Sequence, residues 1–239
     1  CRHLGIRPVA MIEENDRILA RRLVQPYLMM RGVALFTKVK NLRILGLRQV
    51  EAIEFIDAAG KQRSIEADGA IISGRFRPEA ALLHLSHLEV DPGSGGPVID
   101  QFGQCSDPSY YSAGNLLRPA ESSGWCWQEG TATAKWIADD LSRGGPAGVP
   151  SVRVQVVDRA IGFSVPQRLS ISDRTGGMEK MQIGLNVPVK GYLEATSGGQ
   201  SISNSWLNSR PVRRIQIPLA PIVKNCSKSL VELSIRRDK

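Results

Sequence analysis

The sequence predicts an α/β protein that passes into a β-rich C-terminal region. Three observations predict it. A strand–helix–strand pattern opens the chain, as in a parallel sheet. Alternating polar and apolar residues follow, as in an antiparallel meander. Beyond residue 150 only short strand patterns recur, separated by Gly, Pro, Asn and Ser.

In order, "IRPVAMIEE" reads as a buried strand over residues 6–12, ending at Glu13 and Glu14. Asn15 is the expected N-cap of a helix through "DRILARRLVQPYLMMRG", with Pro26 able to kink or break it. Gly32 suits the helix C-terminus, and "VALFT" gives a strand over 33–37. "KVKNLRILG" and "QVEAIEFIDAAGKQRSIEAD" then predict a meander of about three strands, with a hairpin turn at 58–61. The apolar "AIIS" at 70–73 closes it as a strand, and Gly74 follows.

Residues 79–90 predict a short helix or turn, "GSGGPVID" a Gly-rich turn and a two-residue strand, and "SYYSAG" a further strand. "WQEGTATAKWIADDL" predicts a helix. Its Gly130, Ala134 and Ala138 recur every four residues, a stripe expected to lie close against a sheet or a neighbouring helix. A composition shift at "SRGGPAGVPS" sets a domain boundary near residue 150. After it, "VRVQVV", "SVPQRLSIS", "MQIGLNVPV", "RRIQIPL" and "LVELSIRR" read as strands. Three segments are therefore expected: 1–75, 76–149 and 150–239.

The 239 residues, 42% hydrophobic and 23% charged, have the composition of a soluble globular protein. No apolar run is long enough to predict a membrane span. The missing initiator Met, and an opening that reads as the middle of a strand–helix unit, suggest a piece of a longer protein. The four cysteines form no CxxC or CxC pair, which argues against a disulfide framework and a zinc or iron–sulfur site and favours a reducing, cytoplasmic setting. His84 and His87 share a helical spacing but read as surface or loop residues, and Cys126 as a packed thiol. The net charge of +8 lies wholly in residues 150–239, which hold 14 Lys+Arg against 6 Asp+Glu. That basic excess is either a solvated face or a docking surface for an acidic partner subunit, with Arg210, Arg213 and Arg214 as candidates. Without interleaved aromatic residues or a binding motif, it does not predict nucleic-acid binding.

The chemistry concentrates in "DPSYYSAGNLLRPAESSGWCWQEGTATAKWIA". Gly114 after a strand lets a ligand approach the backbone, and the Asn115 carboxamide can donate or accept. A helix start near Gly124, Trp125 and Cys126 offers free N–H groups and a partial positive charge to an anionic group. A ribityl hydroxyl at Asn115 and the N1–C2=O edge of a reduced flavin at the helix start would fit. The same residues would also suit a plain Asn-containing turn leading into a core helix.

These segments resemble the second flavin-binding segment of the FAD-dependent pyridine nucleotide–disulfide oxidoreductase superfamily, a strand, an Ala-Gly-Asp turn and a helix containing Glu-Gly and Ala. "ADGAIISGRFRPEAALL" is similar to that superfamily's strand-Gly-x-x-Pro return to the flavin domain, and "GGPVID" to the short piece before the flavin segment. The resemblance spans about residues 1–149. Within it the flavin subunits of opine-oxidase or hydrogen-cyanide-synthase type dehydrogenases look most similar. It implies a partial two-dinucleotide-binding, Rossmann-like FAD/NAD(P) fold. Residues 1–75 would be part of the NAD(P)-binding half, with the meander, and 76–149 the C-terminal part of the FAD domain. It implies flavin contacts at Gly74, Gly114, Asn115, Gly124, Trp125 and Cys126, with Asn115 standing where the family has Asp. Glu13 would take the ribose position of the nucleotide half, where a carboxylate accepts from both hydroxyls and repels a 2′-phosphate, favouring NAD(H) over NADP(H). The GxGxxG fingerprints of both cofactors are absent, so the chain alone is expected to hold FAD weakly and to be inactive. The activity implied is electron transfer between a small-molecule substrate or partner subunit and flavin. The alternative is a non-catalytic module whose basic tail binds a partner.

Overall fold

The computed structural model describes residues 4–18, 24–74, 76–119, 121–146, 148–171, 174–211, 213–226 and 230–237. The chain divides into two compact units, Cys1–Gly74 and Arg75–Lys239. Segments 76–149 and 150–239 thus share one unit.

In the first unit, strands β1 (Ala10–Ile12) and β2 (Ala34–Phe36) pair in parallel, with helix α1 (Val24–Met30) in the crossover. This is the expected strand–helix–strand order, and α1 runs through Pro26. The helix does not begin at Asp16: residues 14–17 form bends, and residues 19–23 of the expected helix lie outside the described residues. Asn15 lies in that bend, and its amide and its side-chain NH2 both donate to Glu13 Oε1, at 2.9 and 2.6 Å. The expected meander is present as β3 (Lys40–Leu45), β4 (Ala52–Ile56) and β5 (Gln62–Glu66), all antiparallel. The turn at 58–61 closes through Gly60 N to Asp57 O and Asp57 N to Lys61 O, both 2.9 Å. Phe55, Ile53 and Val39 form a small core, packed by Ile12 and Phe36 from the parallel pair. The Phe36 and Phe55 rings meet edge to face at 5.0 Å.

The strand expected at 70–73 does not form. Those residues are irregular, and Ile71 and Ile72 are 75% and 81% exposed. Among the described residues the parallel sheet has two strands, and 70–73 pairs with neither.

The second unit opens with the short helix α2 (Ala81–His84). A loop region of isolated bridges follows, then helix α3 (Ser123–Ser142). The strand expected at "SYYSAG" reduces to a bridge between Gln104 and Tyr111, with Ser112 N donating to Gly103 O at 2.9 Å. Residues 151–236 then build a β sandwich. Its strands are β6 (Ser151–Val156), β7 (Ile161–Val165), β8 (Arg168–Ser170), β9 (Lys180–Leu185), β10 (Val189–Ser197), β11 (Gln200–Ser209), β12 (Ile215–Pro218) and β13 (Leu230–Arg236). One sheet has the order β11-β10-β13-β6-β8 and the other β12-β9-β7. Helix α4 (Ala220–Asn225) precedes β13.

Alternation makes the sandwich. In β10 every second residue from Val189 to Ser197 is buried, and β6, β9, β12 and β13 behave similarly. Leu193, Val231 and Leu233 from one sheet meet Met181, Ile183 and Ile217 from the other in one apolar cluster. The β10–β11 hairpin, which the sequence reading passed over, turns on Gly198 and Gly199, at φ 59° and 80°. Two consecutive positive φ values are what a tight hairpin turn demands, so "SGGQ" was a legible signal.

Leu233→Ala, at a fully buried site, should destabilise the second unit by about 2–5 kcal/mol in urea unfolding. Ile71→Ala should change stability by less than about 0.5 kcal/mol. A large loss for Ile71→Ala would mean that 70–73 is packed after all.

Candidate functional site

Five of the seven residues singled out from the sequence come together in the second unit. Gly114 and Asn115 lie in a 3-10 turn, Gly114–Leu116, whose N-cap Ala113 is extended. Gly124, Trp125 and Cys126 lie in the first turn of α3, which begins at Ser123, four residues before the expected start. The turn and the helix start touch. A Cβ built on Gly114 would stand 3.3 Å from Cys126 Cβ and 3.4 Å from its Sγ, and Gly114 has φ +74°. Conformation and space therefore both require glycine here. Glu13 and Gly74 belong to the first unit. Glu13 closes β1, with its amide on Phe36 O at 2.9 Å and Oε1 holding Asn15. Gly74 is exposed, and a Cβ there would meet nothing within 4 Å.

Residues that the sequence reading did not single out hold the turn in place. Glu129, one turn along α3, accepts from Gly114 N at 3.1 Å. Arg118, 3% exposed, bonds both Glu129 and Glu121, the latter at 3.1 Å. Arg214, which immediately precedes β12, pairs with the other oxygen of Glu121 and lies over the Trp125 ring at 4.3 Å. Gln182 of β9 donates to Glu129 Oε1 at 3.0 Å. Two cations and two carboxylates thus cancel in a nearly buried cluster. Burial, and then the neighbouring Arg118, pull Arg214 below the usual arginine range. Arg214, a candidate for either a solvated face or a docking contact, pairs with Glu121 of the same chain.

Asn115 is exposed, and its Oδ1 accepts from Glu121 N at 2.7 Å. The acceptor end is engaged, so the amide NH2 is the end available to a ligand. Asn115 lines a cavity of about 260 Å³ with Phe76, Arg77, Glu79 and Leu116. At the start of α3, Ser122 makes no side-chain cap, and a Cβ on Gly124 would meet nothing within 4 Å. The first N–H groups of a 20-residue helix therefore face open space.

The rest of α3 packs through Cys126, Glu129, Thr133, Trp136 and Asp140, which are buried or half-buried. The stripe of small residues is not the packing face: Ala134 and Ala138 are exposed, and space above Gly130 is open. The inward face is instead chosen by Glu129 and Asp140, whose partners lie inside the unit. Asp140 receives the Tyr111 hydroxyl and pairs with Arg174 at 3.1 Å, and Arg174 lies over the Phe102 ring at 4.0 Å. Burial, and then the Asp140 carboxylate, push Tyr111 up to about 12. His87 Nε2 donates to the Asp107 carboxylate at 2.8 Å on the surface. Among the described residues no group of side chains could hold a metal ion. No helix among them is long and apolar enough to cross a membrane.

Gly114→Ala should cost about 1–3 kcal/mol in unfolding experiments, from the positive φ together with the Cys126 contact. Cys126→Ala in the same background should recover only part of the loss, because the φ strain remains. Full recovery would show that the contact alone matters. Tyr111 supplies a pH signature. Its folded pKa is raised, so its stabilising contribution is intact below pH 10 and is lost as pH rises from 10 towards 12. Ultraviolet titration should show one of the four tyrosines ionising late, and Tyr111→Phe should remove that phase. A late phase that persists in the variant would place it elsewhere.

No family model and no curated protein matches the chain. Solved structures do. Thioredoxin reductase from T. acidophilum superposes with a TM-score of 0.50 at 20% identity, over 57% of this chain and 46% of that one. A FAD-dependent pyridine nucleotide-disulphide oxidoreductase from Desulfovibrio vulgaris gives 0.48 at 20% identity, over 79% and 47%. A NAD-dependent persulfide reductase from A. fulgidus gives 0.49 at 16% identity, over 93% and 44%. The chain spans less than half the length of each. Over the part that superposes, the chain shares the fold of the T. acidophilum thioredoxin reductase.

Proposed function

We propose that this chain is the C-terminal portion of an FAD-dependent, NAD(P)-linked oxidoreductase that passes two electrons between flavin and a small-molecule substrate or partner subunit. The observation that carries the proposal is the uncapped start of α3 packed against the Gly114–Asn115 turn. A flavin fits what is present: exposed amide donors at Ser123–Trp125, no side chain at Gly124, and a carboxamide NH2 beside a cavity. When bound, the flavin supplies the two-electron chemistry. The chain's part is to bind and to bias. The helix start stabilises negative charge on the cofactor edge beside it and so favours the reduced state. Asn115 donates to a ribityl hydroxyl. Aspartate there would set a third carboxylate near Glu121 and Glu129, against two arginines, which is a physical reason for the neutral side chain.

Glu13 ends β1 of a parallel pair, with Oε1 committed to Asn15. The carboxylate there would accept from a ribose diol and repel a 2′-phosphate, so NAD(H) is the proposed nicotinamide partner. Three described thiols, Cys105, Cys126 and Cys226, are unpaired, which suits a cytoplasmic setting. The exposed Arg213 is the proposed candidate for partner docking.

The test uses the chain joined to the coding sequence that precedes it. That protein should purify yellow and be reduced faster by NADH than by NADPH. Asn115→Leu should lower its flavin content by about tenfold, the loss expected when a buried ligand hydroxyl goes unpaired. A colourless product, or unchanged flavin content in the variant, would reject the proposal.

A further inference from the structure

The β-rich region carries the whole net charge, yet two of its arginines are directed inward, to opposite ends of α3. Arg214 reaches Glu121 and covers Trp125 at the start of the helix. Arg174 reaches Asp140 near its end, on the carboxylate that also receives Tyr111. Between them, Gln182 donates to Glu129, the residue that binds the Gly114 amide. Gln182 lies in β9 and Arg214 immediately precedes β12, both strands packed into the apolar cluster of the sandwich, and Arg174 lies between β8 and β9. A rigid scaffold therefore grips the helix at three places, all through side chains that the helix could not satisfy alone.

We propose that the β-rich region is a built-in brace for the segment that would contact the cofactor, and that Arg214 is a positioning residue which fixes the first turn of α3 against the Gly114–Asn115 turn. Its functional meaning rests on the flavin reading above, but the brace itself does not. Arg suits the task because its planar group can pair with a carboxylate while stacking on a ring. Lys would keep the charge and lose the stack. Removing the positive group leaves Glu121, 5% exposed, beside Arg118 alone and makes the cluster net negative.

Hydrogen exchange on the 239-residue chain tests this. Arg214→Met should speed exchange about tenfold at the Gly114 amide, which is held by Glu129, and at the Cys126 amide, which is held by Ser122 O. The sheet amides of Leu193 and Leu233 should keep wild-type protection. Arg214→Lys should restore the Gly114 protection but still shift the Trp125 fluorescence, assigned by comparison with Trp125→Phe. The proposal fails if Gly114 and Cys126 exchange as in wild type in Arg214→Met, or if all amides speed up together. Should Arg214→Met not fold, Arg214→Lys decides: an unchanged Trp125 emission overturns the stack. A second arm uses the flavin-loaded longer protein, where Arg214→Met should lower the flavin reduction potential, because the added local negative charge opposes the reduced form. Faster exchange with an unchanged potential would leave the brace standing and remove the flavin from the start of α3.

Discussion

The second unit depends on a charge constraint at the foot of α3. Arg118, Glu121 and Glu129 pair with little exposure to water, and the partly exposed Arg214 completes the cluster. Leaving one such charge without its partner costs about 3–5 kcal/mol, more than most single contacts supply. The four groups come from different parts of the chain. Arg118 follows the Gly114 turn, Glu121 lies in the loop, Glu129 is on the helix, and Arg214 enters from the sandwich. Arg214 and Gln182 bring the sandwich to the cluster, and Glu129 of α3 also accepts from the Gly114 amide. Residues 76–149 and 150–239 form one structural unit, joined also by Ile99 N donating to Gln167, Gln101 bonding Ser170, and an apolar cluster of Ile99, Cys105, Leu117 and Val165.

The same constraint divides the helix into occupied and open parts. Along its length α3 is held by Glu129, Trp136 and Asp140. Its first amides are not capped, and the position above them is a glycine. Elsewhere in the cluster, donors and acceptors are matched almost one to one, the exception being Arg118 Nη1, which is buried without a partner. The Asn115 carboxamide, its acceptor end engaged by Glu121 N, stands in the turn packed against this helix start.

Much of this was legible in the sequence where short-range chemistry decides. The strand–helix–strand unit, the meander, the hairpin at 58–61 and the strands after residue 150 other than β10 and β11 follow from periodicity and turn residues. Gly114, Asn115 and the helix beyond them were legible because a glycine at positive φ and a helix start leave local marks. What was not legible is long-range. Nothing near Arg214 announces that Glu121, more than ninety residues earlier, is its partner, so a basic run looked like a docking surface. The inward face of α3 was misjudged for a related reason. Small residues suggest close packing, but here burial follows Glu129 and Asp140, whose partners come from other segments. Residues 70–73 are apolar enough for a strand, but an apolar run pairs only where a neighbouring strand is present to accept it.

The most direct measurement of the central claim is a nitrogen-15 amide spectrum of the flavin-loaded protein, recorded oxidised and then after two-electron reduction. The account predicts that the largest shifts on reduction fall on Ser123, Gly124 and Trp125, with a smaller change on the Asn115 side-chain NH2, because new negative charge forms beside those donors. Shifts concentrated elsewhere, with the start of α3 unmoved, would contradict it.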